Sequence, residues 1–309
     1  MITPSYLRPN DTIGIVATGR RVSPDDIEQS LEIIKRWGVQ LKLSPHIYST
    51  QHSYLAGVDD ERLPDLQAML DDPTIKAIVC ARGGYGTVRI LDQIDFNGFR
   101  KNPKWIAGFS DITALHQSLF VRGFQSIHGS MPIQFPRDTT GQSVESLRQA
   151  LFGEIAQPIV ATANAANRPG VATGRVVGGN LSLLASVMGT ADAPDTTGAI
   201  LVIEEIGEYW YKIDRMIVQL MRAGKFDKLA GLVLGYFTDM TDDAAISFGE
   251  KVERIIHNHT KQFNFPIGFN FPTGHENPNI AWKHGSVMEL RVTAQGSWLT
   301  PVNEPVKGS

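Results

Sequence analysis

The chain has one cysteine, Cys80, in 309 residues, so an intrachain disulfide is excluded and a reducing compartment is expected. It has no apolar run near the roughly 18 residues that a membrane-spanning helix needs. Its first residues, Met1 to Asp11, lack the basic region and apolar stretch of an export signal. It has no large excess of either charge: 29 basic and 32 acidic side chains leave a net charge of −3, which gives no footprint for nucleic acid or an anionic membrane. Internal repeats of 20–50 residues and low-complexity tracts are also missing. A soluble, cytoplasmic protein is expected, with neither nucleic acid nor membrane as partner. With 42% hydrophobic and 20% charged residues, the chain is long enough for two cores.

Strand and helix signals alternate through the first half. Residues 12–17 read as a buried strand, and Ser23-Pro24 supplies an N-cap with proline at the first helical position. Ile27, Leu31, Ile34 and Trp37 follow at helical spacing until Gly38. Strands are expected over 39–43, 75–81 and 105–108, and helices over 60–71 and 111–120. The alternation predicts an α/β fold with a mostly parallel sheet covered on both faces. Ligands of such sheets gather at the carboxyl ends of the strands, where Gly84 and Ser110 both fall. The pattern lapses over 153–171, which reads as a linker between a domain over 1–152 and a second over 172–309. In the second, strands are expected near 173–177, 199–204, 229–235, 267–271 and 286–293, with a helix reaching Met188. Trp210, Ile213, Ile217, Leu220 and Met221 form a helical core stripe.

Four segments carry chemistry. Gly108-Phe109-Ser110-Asp111 sits at a strand-to-helix junction, where a sharp turn exposes a hydroxyl beside helix N-terminal amides. Locally, Ser110 reads either as a nucleophile or as a helix cap, and Ile112 stands where the familiar elbow has its second glycine. Arg82-Gly83-Gly84-Tyr85-Gly86 is a glycine-rich turn after a strand. It would suit a phosphate or lend an amide to a site, but Arg89 breaks the dinucleotide fingerprint. Ile203-Glu204-Glu205-Ile206 ends an apolar strand in two acids, of which one is expected to face inward. His275-Glu276 begins like a zinc-peptidase motif that Asn279 then breaks, so no metal is expected. His257 and His259 lie two apart on a helix and make a poor metal pair. His116, His128 and His284 remain candidates for a base.

Taken in order, Arg82-Gly83-Gly84-Tyr85-Gly86, Gly108-Phe109-Ser110-Asp111, His128-Gly129, Gly178-Gly179-Asn180-Leu181, Ile203-Glu204-Glu205-Ile206-Gly207-Glu208 and Gly274-His275 resemble the LD-carboxypeptidase family, the muramoyltetrapeptide carboxypeptidases of peptidoglycan recycling. The resemblance runs from Asn10 to the strand after Gly285. Glu208 to Met216 looks more like these carboxypeptidases than like the branch that cleaves a peptide–nucleotide toxin. It implies a flavodoxin-like N-terminal α/β domain carrying Ser110 as nucleophile. It also implies a smaller C-terminal α/β domain carrying His275 as general base and Glu204 as its orienting acid, with the active site at the interface. The amides of Gly84 and Asp111 correspond to the oxyanion hole. No cofactor is implied. The implied substrate is a murein tetrapeptide that loses its terminal D-alanine, and the implied assembly is a homodimer. Ser130 stands after His128-Gly129 where the family usually has proline. For the substrate's terminal carboxylate, Arg82 and Lys283 are candidates by nearness to these motifs. Rival readings are a serine peptidase cleaving a peptide–nucleotide amide, a nucleotide-binding α/β enzyme, and a non-catalytic ligand-binding protein.

Overall fold

The computed structural model describes residues 1–154 and 157–302; residues 155 and 156 of the expected linker and residues 303–309 of the second domain lie outside the described residues. The chain divides into two compact units, one of Met1–Ala156 with Asn277–Lys283 and one of Gln157–Glu276 with His284–Ser309. The short return of 277–283 to the first unit is invisible to a reading in sequence order.

In the first unit the elements are β1 (Thr12–Val16), α1 (Pro24–Lys35), β2 (Gln40–Leu43), α2 (Asp59–Asp71), β3 (Ile75–Cys80), α3 (Thr87–Leu91), α4 (Asn97–Lys101), β4 (Trp105–Gly108), α5 (Thr113–Val121), β5 (Ser126–His128) and α6 (Gln142–Phe152). Strands β2, β1, β3, β4 and β5 lie in that order and pair in parallel throughout, the flavodoxin-like arrangement that the alternation and the resemblance together imply. Ile13, Ile15, Ala77, Val79 and Ala107 are buried along the strands, and Ile27, Leu31 and Ile34 bring α1 onto the same core. Burying each such side chain contributes about 1.5–3 kcal/mol, which offsets the entropy cost of ordering the chain. Asp26 accepts from the backbone N–H and hydroxyl of Ser23, and Pro24 opens α1. Cys80 is fully buried, and burial pushes its thiol up to about 12.

The second unit holds β6 (Ile159–Thr162), β7 (Gly170–Asn180), α7 (Leu181–Ser186), β8 (Ala199–Ile206), α8 (Trp210–Arg222), β9 (Gly231–Thr238), α9 (Val252–His259) and β10 (Ile267–Gly268). After β11 (Trp282–His284), β12 (Val287–Val292) and β13 (Gly296–Pro301) complete it. Its sheet runs β10-β9-β8-β7-β12-β13-β6, parallel from β10 to β7 and antiparallel beyond. Within the stretch expected as linker, Ile159–Thr162 forms the edge strand β6 and pairs with β13. Its alternation of buried Ile159 and Ala161 with exposed Val160 and Thr162 is a strand signal, hidden among small polar residues. The strand expected over 267–271 shortens to two residues, with Asn270 at a φ of 62°.

No helix among the described residues is long and apolar enough to cross a membrane.

Candidate active site

Strand β4 ends at Gly108, and the chain turns at once. Phe109 is extended and fully buried, Ser110 sits at a φ of 60°, and Ser110–Ile112 forms one 3₁₀ turn before α5. A left-handed backbone at a non-glycine residue costs about 1–2 kcal/mol, so the surrounding structure must impose it. Gly108 makes the turn sterically available, since a Cβ there would lie 2.8 Å from Ile112 Cγ1. Its carbonyl is held by the amide of Gly129 at 3.1 Å and by His116 Nε2 at 2.9 Å. His116 is thereby spent on the fold: it is buried, its pKa falls to about 4 through burial against the opposing pull of the Gly108 carbonyl, and its Nδ1 meets Ser126 Oγ at 2.8 Å. The sharp turn expected at this junction takes the form of a 3₁₀ turn over Ser110–Ile112, so the helix expected from 111 begins at Thr113.

The glycine-rich turn after β3 lies against this elbow. A Cβ on Gly83 would approach Ser110 Cβ to 3.0 Å and Oγ to 3.2 Å, so only glycine lets the two loops meet. Gly84 takes a φ of 96°. Among the described residues, the amides of Gly84 and Asp111 donate to no backbone carbonyl. A third set of residues fastens the two turns together. The buried Asp111 carboxylate accepts from Thr87 N at 2.9 Å and Thr87 Oγ1 at 2.7 Å, and Thr87 Oγ1 meets Thr18 Oγ1 at 2.8 Å. Arg62, 1% exposed, donates to the carbonyls of Thr18 and Gly86 and to Asp59. Sequence reading missed this network, because a threonine opening a helix and an arginine inside one read as a cap and a surface charge. Burial raises the Asp111 pKa against the two Thr87 hydrogen bonds.

In the second unit, β8 delivers its two acids to opposite faces of the sheet, as successive strand residues must. Opposite Glu204, strand β9 carries an extra residue: Ile203 faces Leu234, but Glu205 faces Phe237. The amide of Tyr236 in that bulge holds the carbonyl of Thr273 at 2.9 Å and so seats the loop that bears His275. His275 Nδ1 lies 2.7 Å from Glu204 Oε2, with the carboxylate fully buried. Gly274, at a φ of 123°, brings the backbone this close: a Cβ there would meet Glu204 Oε2 at 2.9 Å and its Cβ at 3.0 Å. Burial by itself lowers the His275 pKa, but the charge and hydrogen bond of Glu204, with Glu205 behind, hold it above its ordinary value.

The sequence expected one inward acid, yet both are buried, because α7 covers the other face. Glu205 accepts from Asn180 Nδ2 at 2.7 Å, Ser182 N at 2.8 Å, Ser182 Oγ at 2.5 Å and its neighbour Ile206 N at 2.9 Å. It anchors the start of α7 and leaves Glu204 alone with the histidine.

The remaining candidates have other tasks. His128 stacks on Trp282 at 4.8 Å between ring centroids, and His284 Nε2 accepts from the amide of Gly178 at 3.2 Å. His257 and His259 meet the Ala166 carbonyl and Asp214. Lys283 Nζ bonds Tyr6 Oη at 2.8 Å and lies 5.8 Å from the ring of Trp105, at the amino end of β4, whereas Ser110 follows the carboxyl end. Ser130 is buried. Of the predicted residues, Ser110, Gly84 and Asp111 belong to the first unit, and Glu204 and His275 pair in the second.

Residues 13–129 match the family model of the LD-carboxypeptidase N-terminal domain, and residues 173–290 that of the C-terminal domain. A probable murein peptide carboxypeptidase of Bacillus subtilis is 36% identical over 90% of this chain and 88% of its own length. The murein tetrapeptide carboxypeptidase of Pseudomonas aeruginosa is 30% identical over 90% of this chain and 92% of its own. The crystal structure of a muramoyltetrapeptide carboxypeptidase from Oxalobacter formigenes superposes with a TM-score of 0.85 at 25% identity, over 96% of this chain and 100% of that one. A microcin C7 self-immunity protein shares the fold, with a TM-score of 0.85 at 20% identity over 98% of this chain and 99% of its own.

Proposed function

Because this chain belongs to the LD-carboxypeptidase family, we propose that it is a serine carboxypeptidase that releases the terminal D-alanine from murein tetrapeptides. The observation that carries the mechanism is the backbone of Ser110, held left-handed at the end of β4 against a glycine-rich turn. A helix cap needs no such conformation, whereas a nucleophile presented on a sharp turn does.

In this reading Ser110 Oγ attacks the scissile carbonyl. His275 takes the hydroxyl proton at Nε2, since Nδ1 is committed to Glu204. The tetrahedral oxyanion is bound by the amides of Gly84 and Asp111, and loss of one such donor typically costs roughly 3 kcal/mol in the barrier. As the C–N bond breaks, His275 returns the proton to the departing amine. Water then attacks the acyl-enzyme by the same acid–base route and frees the shortened peptide. Glu204 fixes the tautomer and stabilises the imidazolium. The reading extends to a cytoplasmic homodimer acting on recycled wall fragments; the single, buried Cys80 supports a reducing compartment.

Mass spectrometry of tetrapeptide incubated with the protein tests the activity, with loss of one alanine expected. Parallel assay of a tetrapeptide ending in D-alanine, its L-alanine isomer and the pentapeptide tests the specificity. Comparable rates on all three would remove the stereochemical claim and leave the serine chemistry in place.

A further inference from the structure

We propose that Arg82 and Arg20, on the two turns that flank Gly83-Gly84, form the subsite for the free terminal carboxylate of the peptide. The inference rests on the carboxypeptidase reading and names a site within it.

Bond lengths limit where such a subsite can lie. From the scissile carbonyl carbon to the carboxylate carbon of the departing residue there are three bonds, about 4.3 Å in all. The cation must therefore stand beside the loops that surround Ser110. Gly83 touches Ser110, and its carbonyl accepts from the amide of Arg20 at 2.8 Å. The stem of Arg20 lies on Gly84: a Cβ there would come within 2.7 Å of Arg20 Cβ and 3.6 Å of Cδ. Arg82 directly precedes the glycines and donates from Nη1 to the carbonyl of Arg21 at 3.1 Å. Both side chains thus rise from the backbone pair that meets the elbow, at the carboxyl end of the sheet.

Their charges are only partly balanced, by the field of Asp26. Among the described residues, neither arginine makes an ion pair. Arg20 rests over the ring of Tyr54, 5.2 Å from its centroid. The acid whose field reaches both, Asp26, already accepts two hydrogen bonds from Ser23 in the cap of α1. Arg82 is half-buried; burial, then the like charge of Arg20 and more weakly that of Arg137, disfavours its cation, with Asp26 and Tyr54 opposing. Two neighbouring guanidinium groups, one partly desolvated, suit a carboxylate that each can grip through paired N–H donors. Lys283, the other cation considered, is engaged with Tyr6.

The test compares a tetrapeptide having a free terminal carboxylate with the same peptide amidated. A charge-assisted hydrogen bond removed from the acid lowers its kcat/KM by about 10- to 100-fold. In Arg82→Ala and Arg20→Ala the acid-to-amide ratio of kcat/KM therefore falls towards one, chiefly through KM. Arg82→Lys keeps part of the ratio, and Lys283→Ala keeps all of it. Thermal melts of each variant report folding. A ratio unchanged in both arginine-to-alanine variants overturns the subsite while hydrolysis stands. Calorimetric binding of both peptides to Ser110→Ala, with and without Arg82→Ala, separates the two claims. If the native protein hydrolyses neither peptide, Arg82-dependent preference for the acid keeps the subsite and sinks the peptidase reading; no such preference sinks both. Arg82-dependent binding of adenosine monophosphate, without preference for acid over amide, assigns the arginines to phosphate and overturns the proposal.

Discussion

Replacing Glu204 by glutamine removes one charge from a site whose shape is otherwise kept, and it leaves the amide with no good way to sit. In the native protein Glu204 Oε2 lies 2.7 Å from His275 Nδ1, while Oε1 is buried without a hydrogen-bond partner among the described residues. With its carbonyl towards Nδ1, glutamine keeps the hydrogen bond but places an NH₂ group where Oε1 was. Unpaired buried donors cost about 1–3 kcal/mol. With its NH₂ towards Nδ1, the imidazole must carry its proton on Nε2 and can no longer accept from serine. Both arrangements lose the charge that stabilises the imidazolium. A fall in kcat/KM of roughly 10²- to 10⁴-fold is expected. The pH profile shifts as well. His275 must be neutral to act as base, so activity rises with pH through its pKa. Burial lowers that pKa, and Glu204 outweighs it. Once Glu204 is neutral, only the weaker field of Glu205 opposes burial, and the acid limb of kcat/KM moves to lower pH. Glu205→Gln should act mainly on the fold, because that carboxylate accepts from Asn180 and Ser182. It should lower stability by about 1–3 kcal/mol and move the acid limb less. The assay is kcat/KM against pH for the three proteins, with thermal melts. A severe loss in Glu205→Gln beside native rates and an unmoved acid limb in Glu204→Gln would refute the reasoning.

Ser110→Ala folds and loses nearly all turnover, whereas Ser110→Gly, equally inactive, is more stable than the alanine variant by about 0.5–1 kcal/mol because glycine relieves the left-handed backbone; near-native turnover in either would reject Ser110 as nucleophile. Thr87→Val removes the hydroxyl's bonds to Asp111 and Thr18 and leaves only the backbone amide of residue 87 on the carboxylate, so the clamp loosens, kcat falls about 10-fold with little change in KM, and Thr87→Ser restores it; a valine variant with native kcat would show the hydroxyl to be idle. Activity survives chelators, because Asn279 stands where a zinc-peptidase motif needs its second histidine; loss in EDTA restored by zinc would reverse this.

The α/β class, the parallel character of the first sheet and most strands were legible in the sequence, because local rules carry them; the order of the strands was not. Ser23-Pro24 announces α1 whatever surrounds it, and a short β-rich apolar run such as 77–80 suits a strand in a sheet covered on both faces. Strand β6 and the two-residue β10 were less legible, because their strand character comes from pairing partners distant in the chain. The candidate residues were visible as motifs, and their roles were visible only through resemblance.

Which of two adjacent glutamates meets the histidine is a different kind of question. The sequence by itself determined that Glu204 and Glu205 point to opposite faces, since strand geometry alternates. Only the tertiary structure decided that α7 closes one face over Glu205 while the bulge in β9 and the loop through Gly274 bring His275 to Glu204. The left-handed turn at Ser110 is decided in the same way. Nothing in four residues pays its strain; the packing of Gly83 on the elbow, the buried Phe109 and the Thr87 bonds to Asp111 do, and these contacts join residues up to 27 positions apart. Alternation and capping are properties of neighbours in the chain, whereas burial, register and partnership are properties of neighbours in space.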